Sequence, residues 1–224
     1  MTEDDLIRYF PQLYHMTADG AWPSIHRHGL LSTSALLDLL GKSGDERECL
    51  ESEQRPRSIP LHGDQGAPVL RDQRPLNRGL LEKHLIGMIP EQWYRLLNSK
   101  VFFFPSLERL QGLLNGSQYR SEIHTVLTVD TRELVRRHRN RITLSRINTG
   151  AMLHGGSPRG VGTFRSIQGF PFEAGDKGPG GISAQLAEVA VSRAVPDIAE
   201  LVVRVERRRG QDLVDVISEF PGGT

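Results

Sequence analysis

The sequence predicts an α+β fold. Helical periodicity dominates the first half of the chain and strand patterns dominate the second, so the two kinds of element are segregated rather than alternating. The chain has 224 residues, of which 38% are hydrophobic and 25% charged, which is typical of a soluble globular domain with a substantial core. We therefore expect a single domain over residues 1–224, with a long loop or insertion at 41–78 and a tail at 207–224.

Composition narrows the classes of partner. The formal net charge is +1, so nucleic-acid binding would need a local basic patch. The single cysteine, Cys49, excludes an internal disulfide framework and a multi-cysteine zinc site, and we expect no metal. The acidic N-terminus lacks a signal-peptide core, and no apolar run approaches the length of a membrane span. A cytoplasmic protein without a membrane partner is the default expectation, and the oligomeric state is open.

Capping and chain-breaking residues predict where the first helices and strands begin and end. Residues 2–12 read as a short helix, and the apolar run Leu13–Met16 reads as a buried strand. Thr17 or Asp19 could cap the helix that follows, and Gly29 is placed to end it in a left-handed conformation. Further helices are expected at 34–40, 80–98 (two helices), 107–114 and 131–138, and further strands at 101–104, 124–130, 141–145, 187–191 and 201–205.

The segment 41–78 is rich in charge, glycine and proline, and most of it is expected to be loop, with short edge strands at 59–62 and 69–70. It is either a surface insertion or a functional loop that turns Arg71 toward a pocket. The glycine-rich stretch 146–165 does not match the P-loop or dinucleotide-fold fingerprints, which excludes a Rossmann interpretation.

Several polar and aromatic side chains are candidates for a functional site, although each also has a structural explanation. His15 lies at a strand end beside a helix N-terminus, a place suited to a phosphate-bearing ligand, although a lone histidine there is more often structural. Glu188 begins an otherwise apolar strand, where burial is costly unless the strand is an exposed edge. In the strand that ends near Ser106, alternation predicts that Phe102 is core, whereas Phe104 and Ser106 are either core or site residues.

Arginines supply the remaining candidates. Arg95 lies between apolar helix positions and could point either way. The densest positive run either forms a solvated face or binds phosphates, and consists of Arg136, Arg137, Arg139 and Arg141.

Three phrases carry a resemblance to a known superfamily. They are LYHMT…W.SI..HGLLS at 13–34, VFFFPS at 101–106 and AEVAVSRAVPDIAELVV at 187–203. In this order they resemble the motifs of the ADP-ribosyltransferases, most closely the DarT-type DNA ADP-ribosyltransferases, and the chain is similar to a bacterial family of unknown function in that group. The opening phrase also resembles that of the KptA-type RNA 2′-phosphotransferases.

The resemblance implies a split pair of mostly antiparallel sheets that clasp NAD, with helices outside. It implies that NAD is a substrate, that Phe104 stacks on the nicotinamide ring and that His15 hydrogen-bonds a ribose hydroxyl or a phosphate. It makes Glu188 the catalytic carboxylate, bonded to the ribose 2′-hydroxyl. A catalytic arginine before the second motif is either Arg71 or Arg95. The NAD-binding residues implied are Tyr14, His15, Met16, Thr17, Phe104 and Ser106.

The chain also departs from the superfamily pattern. Segment 41–78 has no confident counterpart, and Gln185 stands three residues before Glu188, so the strict Gln-x-Glu signature of protein-modifying toxins is absent. ADP-ribosyl transfer to a nucleic-acid acceptor, such as a DNA base, is therefore the leading hypothesis. The alternatives are a non-catalytic NAD or ADP-ribose-binding module and a KptA-like RNA 2′-phosphotransferase, in which basic residues such as His26, Arg27 and His28 would bind phosphate.

Overall fold

The computed structural model describes residues 1–61, 68–74, 76–152, 156–175 and 180–220. The helices in these ranges are α1 (Glu3–Tyr9), α2 (Trp22–His28), α3 (Thr33–Leu39), α4 (Gly44–Ser52), α5 (Arg78–His84), α6 (Pro90–Asn98), α7 (Leu107–Leu114), α8 (Thr131–His138) and α9 (Gly181–Gln185). No helix in the described part of the chain is long and apolar enough to cross a membrane.

The strands in the same ranges are mostly short and paired antiparallel. They are β1 (Gln12–Ala18), β2 (Leu30–Leu31), β3 (Ile59–Pro60), β4 (Val69–Leu70), β5 (Leu85–Ile86), β6 (Lys100–Phe103), β7 (Ile123–Asp130), β8 (Ile142–Ser145), β9 (Arg159–Gly160), β10 (Glu188–Ser192), β11 (Ala194–Val195), β12 (Val202–Arg209) and β13 (Asp212–Glu219).

Two antiparallel sheets form the centre of the molecule. One has four strands in the order β1-β7-β12-β13, and the other has three in the order β6-β10-β8. Among the described residues one bridge joins them, because Tyr14 and Phe104 exchange main-chain hydrogen bonds of 2.8 and 2.9 Å. The fold is therefore α+β, as the sequence predicted. The bridge is isolated, since β1 otherwise pairs with β7 and β6 with β10.

The main core lies against one face of the three-stranded sheet. Val101 and Phe103 of β6 and Val189 and Val191 of β10 are buried in one cluster with residues of β1, β7, β12, α1, α2 and α8. Since side chains alternate along a strand, the intervening residues of β6 and β10 face the opposite side. Phe102 is one of them: it is partly buried, packs against a second apolar cluster that contains Trp93 and Tyr94 of α6, and also lines a cavity. Its prediction as a core residue is therefore confirmed in part.

The expected loop at 41–78 contains the helix α4. Its sequence has little apolar periodicity, and tertiary contacts hold it in place. Asn98 of α6 donates 2.8 Å to the Glu51 carbonyl oxygen, and the buried Arg55 donates to the carbonyl oxygens of Leu50 and Arg71 at 2.7 and 3.0 Å. The edge strands expected at 59–62 and 69–70 are β3 and β4, except that His62 lies outside the described residues.

The expected tail at 207–224 contributes to the four-stranded sheet as the end of β12 and as β13, while 221–224 lie outside the described residues. The pairing is an antiparallel main-chain ladder, to which exposed ion pairs add cross-strand contacts: Arg204 donates 2.9 Å to Glu219 and Arg207 donates 3.3 Å to Asp215. The strand periodicity was obscured by the run of arginines on β12, of which Arg204 and Arg208 pair with Glu206 on the same strand and Arg207 pairs with Asp19.

The residues that begin and end helix α2 were predicted in part. Gly29 ends the helix with φ +84°, as expected. Neither Thr17 nor Asp19 caps it, because the N-cap is Ala21 and makes no side-chain capping bond. The Asp19 carboxylate accepts two hydrogen bonds of 2.7 Å from Arg207 instead, so a distant strand supplies its partner.

Candidate functional site

A cavity of about 730 Å³ opens beside the bridge between the two sheets. Its walls come from β1, α2, β6, the segment 68–73, the segment 148–151 and the first residue of β10. The volume lies within the range of roughly 300–1,000 Å³ that is usual for pockets binding small ligands. The cavity is therefore the candidate functional site of the molecule.

Glu188 faces this cavity because of its strand register. It pairs with Ser145 on β8, and the next residue, Val189, pairs with Phe103 on β6. Strand β10 therefore has a neighbour on both sides and is the central strand of its sheet. The explanation of Glu188 by edge exposure is therefore wrong. The carboxylate lies on the cavity side of an otherwise apolar strand, and the residue is only 5% exposed.

The Glu188 carboxylate is held through one of its two oxygens. Oε2 accepts a hydrogen bond of 3.1 Å from the Thr149 backbone N–H and one of 2.6 Å from its hydroxyl. Burial raises the pKa of Glu188 to about 7, against the opposing effects of the two Thr149 bonds and of the positive charges of Arg159 and Arg109. In the described part of the chain no hydrogen bond reaches Oε1, which leaves that oxygen for a ligand.

His15 is a neutral hydrogen-bond acceptor. Its Nδ1 lies 2.8 Å from the Phe102 carbonyl oxygen, and because a carbonyl only accepts, Nδ1 carries the hydrogen and Nε2 has a free lone pair. Burial lowers the pKa of His15 to about 4; the bond to Phe102 opposes this shift and the charge of Arg71 adds to it. This histidine can therefore accept a hydrogen bond from a hydroxyl but cannot donate Nε2–H to a phosphate at neutral pH, which favours the first of the two roles expected for it.

The other residues of the first motif divide between two sides of β1. Thr17 lines the cavity, whereas the Tyr14 hydroxyl bonds Gln12 at 3.1 Å and the Tyr14 ring packs in the cluster under α7. Met16 packs in that cluster and also reaches the cavity wall. The main chain of Tyr14, rather than its side chain, contributes to the site by fixing Phe104.

The second motif is divided in the same way. Phe102 and Phe104 alternate with the core residues of β6 and both line the cavity, and Phe104 also packs against the cluster under α7. Ser106 does not line it: its hydroxyl caps α7 by accepting 3.3 Å from the Arg109 N–H. The motif thus supplies two aromatic side chains to the cavity and a helix cap outside it.

The structure brings Arg71 to the cavity and leaves Arg95 outside. Arg95 is paired with Glu48 and Glu51 of α4 and does not line the cavity. Arg71 lies beside the Tyr119 ring, with its guanidinium carbon 5.2 Å from the ring centroid. Its Nη1 is buried, with no hydrogen-bond partner in the described part of the chain. Arg71 is thus a cation available to an anionic ligand.

The buried carboxylate of Asp72 lies next to the Arg71 guanidinium. Asp72 lies 4.0 Å from Arg71 Nη2 and accepts hydrogen bonds from Arg74 Nε (2.9 Å) and the Tyr119 hydroxyl (2.7 Å). Burial opposes ionisation of Asp72, but these bonds outweigh it and hold its pKa at about 2. Tyr119 and Thr149 were missed from the sequence, because both lie in irregular segments without a periodic signal.

The predicted nucleic-acid-binding run lies away from the cavity, and none of its four members lines it. Arg136 is paired with Glu133, Arg137 with Asp197 and Glu200, and Arg141 donates to Ala194 O and His138 Nδ1. Arg139 is exposed and makes no ion pair within the described ranges. Most of the run therefore stabilises the surface around α8.

Gln185, three residues before Glu188, also has a structural role. Its side-chain amide accepts 2.9 Å from the Glu173 N–H and donates 2.9 Å to the Glu173 carbonyl oxygen. Among the described residues no group of three or more histidine, cysteine, aspartate or glutamate side chains is arranged to hold a metal ion.

Comparison with protein families identifies the family to which the chain belongs. No curated protein matches the chain. A family described as "Family of unknown function (DUF7002)" matches residues 11–202, which include every segment that lines the cavity. The chain therefore belongs to this family of unknown function.

Proposed function

We propose that the protein is an NAD-dependent ADP-ribosyltransferase, with the split-sheet fold of that superfamily, that modifies a nucleic-acid base. One observation carries the proposal: a single cavity is lined by His15, Phe104 and Glu188, the residues that the three resembling motifs nominate. They come from three different strands, since His15 lies in the middle of β1 rather than at its end, Phe104 directly follows β6 and Glu188 begins β10. Their convergence is therefore not a consequence of proximity in sequence.

The side chains of the cavity suit the parts of NAD. Phe102 and Phe104 offer aromatic surface to the nicotinamide ring. The Nε2 atom of His15 accepts a hydrogen bond from a ribose hydroxyl. Arg71, with Nη1 unpartnered among the described residues, supplies the positive charge that a diphosphate requires.

Glu188 performs the chemical role in this proposal. Its free Oε1 accepts a hydrogen bond from the ribose 2′-hydroxyl, and its negative charge stabilises the positive charge that develops at C1′. The bond between C1′ and the nicotinamide nitrogen breaks, and its electron pair leaves with nicotinamide. The acceptor donates an electron pair to C1′ and releases a proton to solvent. Because only ionised Glu188 stabilises the transition state, turnover should rise with pH through about 7.

The primary test measures nicotinamide release and NAD binding on the same samples. The wild type should bind NAD and release nicotinamide. Glu188→Gln should still bind NAD but lose activity by roughly two orders of magnitude or more, whereas the exposed-surface control Glu108→Gln should retain it. Full activity in Glu188→Gln would refute the assignment.

The two arginines provide a second matched pair. Arg71→Gln should weaken NAD binding about tenfold or more, because a charge-assisted hydrogen bond to phosphate is lost. Arg95→Gln removes only pairs with α4 and should leave the affinity unchanged. Equal effects of the two substitutions would contradict the assignment of Arg71 to the diphosphate.

The acceptor is proposed from the resemblance to the DNA-modifying enzymes. Incubation with NAD labelled in its adenosine part and with separate DNA, RNA and protein pools should label nucleic acid, and label in protein alone would refute this part. Affinity for oligonucleotides should also fall with salt, with a logarithmic slope of about −0.7 to −0.9 for each phosphate contacted.

RNA 2′-phosphotransfer is a second candidate, because Arg27 and His28 line the same cavity. It predicts consumption of NAD only when 2′-phosphorylated RNA is present, so that RNA is added as a separate arm. A third outcome, NAD binding without nicotinamide release in any arm, would identify a non-catalytic binding module.

A further inference from the structure

The loop 147–151 between β8 and β9 makes one contact that the proposed reaction does not explain by itself. Thr149 is 1% exposed and directs both its N–H and its hydroxyl to the same carboxylate oxygen, Oε2 of Glu188. Its own carbonyl oxygen accepts 3.2 Å from Arg159 Nη1, and Arg159 also donates 3.4 Å to the Ala151 carbonyl oxygen. The loop is thus fixed to β10 through the Glu188 carboxylate and to β9 through the Arg159 side chain.

We propose that Thr149 is the positioning residue of the site: by occupying Oε2 with two donors it fixes the rotamer of Glu188 and leaves Oε1 as the oxygen that meets the substrate. The catalytic part of this inference rests on the proposed function. The positioning part concerns only the carboxylate and can be measured without turnover.

The charges around Glu188 make Thr149 the adjustable component. Arg159 and Arg109 provide favourable charge, but both are engaged elsewhere: Arg159 with the carbonyl oxygens of the loop and Arg109 with the carbonyl oxygens of Ser183 and Ala184. In the described part of the chain only Thr149 donates hydrogen bonds to the carboxylate. Removing its hydroxyl therefore removes one of the two direct stabilisers of the ionised form.

The test compares Thr149→Val, which removes the hydroxyl at nearly constant volume, with Thr149→Ser, which keeps it. In the pH profile of nicotinamide release, the acidic limb of Thr149→Val should move up by roughly one pH unit, because the neutral form of Glu188 is favoured. Thr149→Ser should restore the wild-type midpoint. A valine variant with lower activity but the wild-type midpoint would refute positioning and leave a merely structural role.

Thr125→Val is the matched control. Thr125 is fully buried on β7, its hydroxyl has no hydrogen-bond partner in the described ranges, and it does not line the cavity. The same loss of a hydroxyl there should leave the midpoint unchanged. An equal shift in Thr125→Val would show that the effect of Thr149→Val is not specific.

A titration separates this inference from the proposed function. The Glu188 carboxyl carbon, assigned by its absence from spectra of Glu188→Gln, is followed by ¹³C NMR in wild type, Thr149→Val and Thr149→Ser. A higher titration midpoint in Thr149→Val alone would support positioning, whether or not the wild type releases nicotinamide. Absence of nicotinamide release from the wild type would refute the catalytic part of the inference together with the proposed function. Identical midpoints in all three proteins would overturn the inference even if the enzyme is active.

Discussion

Glu188 should make the protein less stable at alkaline pH than it would be with a neutral side chain. The carboxyl of the unfolded chain ionises near 4.5, whereas in the folded state burial raises its pKa to about 7. Between these values the unfolded chain releases a proton that the folded protein retains, so raising the pH favours unfolding. The penalty is absent below pH 4.5, grows up to about pH 7 and is constant above it.

The magnitude follows from the two pKa values. A difference of one pKa unit corresponds to about 1.4 kcal/mol, so the interval from 4.5 to about 7 corresponds to a penalty of about 3 kcal/mol. No discount for solvent screening applies, because the residue is only 5% exposed. Glu188→Gln removes the ionisation but preserves shape and the ability to accept hydrogen bonds from Thr149.

The assay is urea unfolding of wild type and Glu188→Gln at pH values from 4.5 to 9. The two free energies of unfolding should agree at the lowest pH and diverge until Glu188→Gln is more stable by about 3 kcal/mol above pH 7. Glu108→Gln, at an exposed position on α7, should follow the wild type. A difference that does not vary with pH, or a glutamine variant that is less stable at pH 8, would refute the reasoning.

Three further substitutions test other parts of the structure. His15→Asn should remove a loss of stability that the wild type undergoes as the pH falls from 6.5 to about 4, because the partly buried imidazole stays neutral in the folded protein while the unfolded chain takes up a proton. Urea unfolding across this interval checks the prediction, and parallel curves for the two proteins would contradict it. Tyr119→Phe removes one hydrogen-bond donor from the buried Asp72 carboxylate and should lower the free energy of unfolding in urea by about 1–3 kcal/mol. It should also weaken NAD binding, because Asp72 lies beside Arg71. Unchanged stability would show that the bond contributes nothing. Gly29→Ala places a Cβ 2.6 Å from a backbone carbon at φ +84° and should cost more than about 2 kcal/mol by thermal unfolding, whereas Gly41→Ala, at φ +64° with open space around it, should cost only about 1; equal losses would refute the role of the close approach.

The sequence predicted the elements better than it predicted their faces. The helices at 107–114 and 131–138 and the strand at 124–130 were identified because their periodicity or alternation is strong. Phe102 was predicted to be a core residue, and it packs against the cluster around Trp93 but also lines the cavity, a division that four apolar residues in succession do not reveal. Only the pairing of β10 with β6 and β8 shows which side of the sheet each residue occupies.

The site was predictable where a short phrase carries it and unpredictable where tertiary packing decides. His15, Phe104 and Glu188 were nominated by motifs, and the structure brings them to one cavity. The spacing could not choose between Arg71 and Arg95, because the choice depends on how α4 packs against α6. Thr149 reaches the site from an irregular loop, so nothing local distinguishes it.

Hydrogen exchange at the Tyr14–Phe104 bridge between the two sheets should report the entry of a ligand into the cavity. The amides of Tyr14 and Phe104 bond each other's carbonyl oxygens beside the cavity. A molecule that draws the walls together should slow deuterium uptake at these two amides, and one that forces them apart should accelerate it. Exchange at one residue pair thus measures the aperture of the cleft without any label on the ligand.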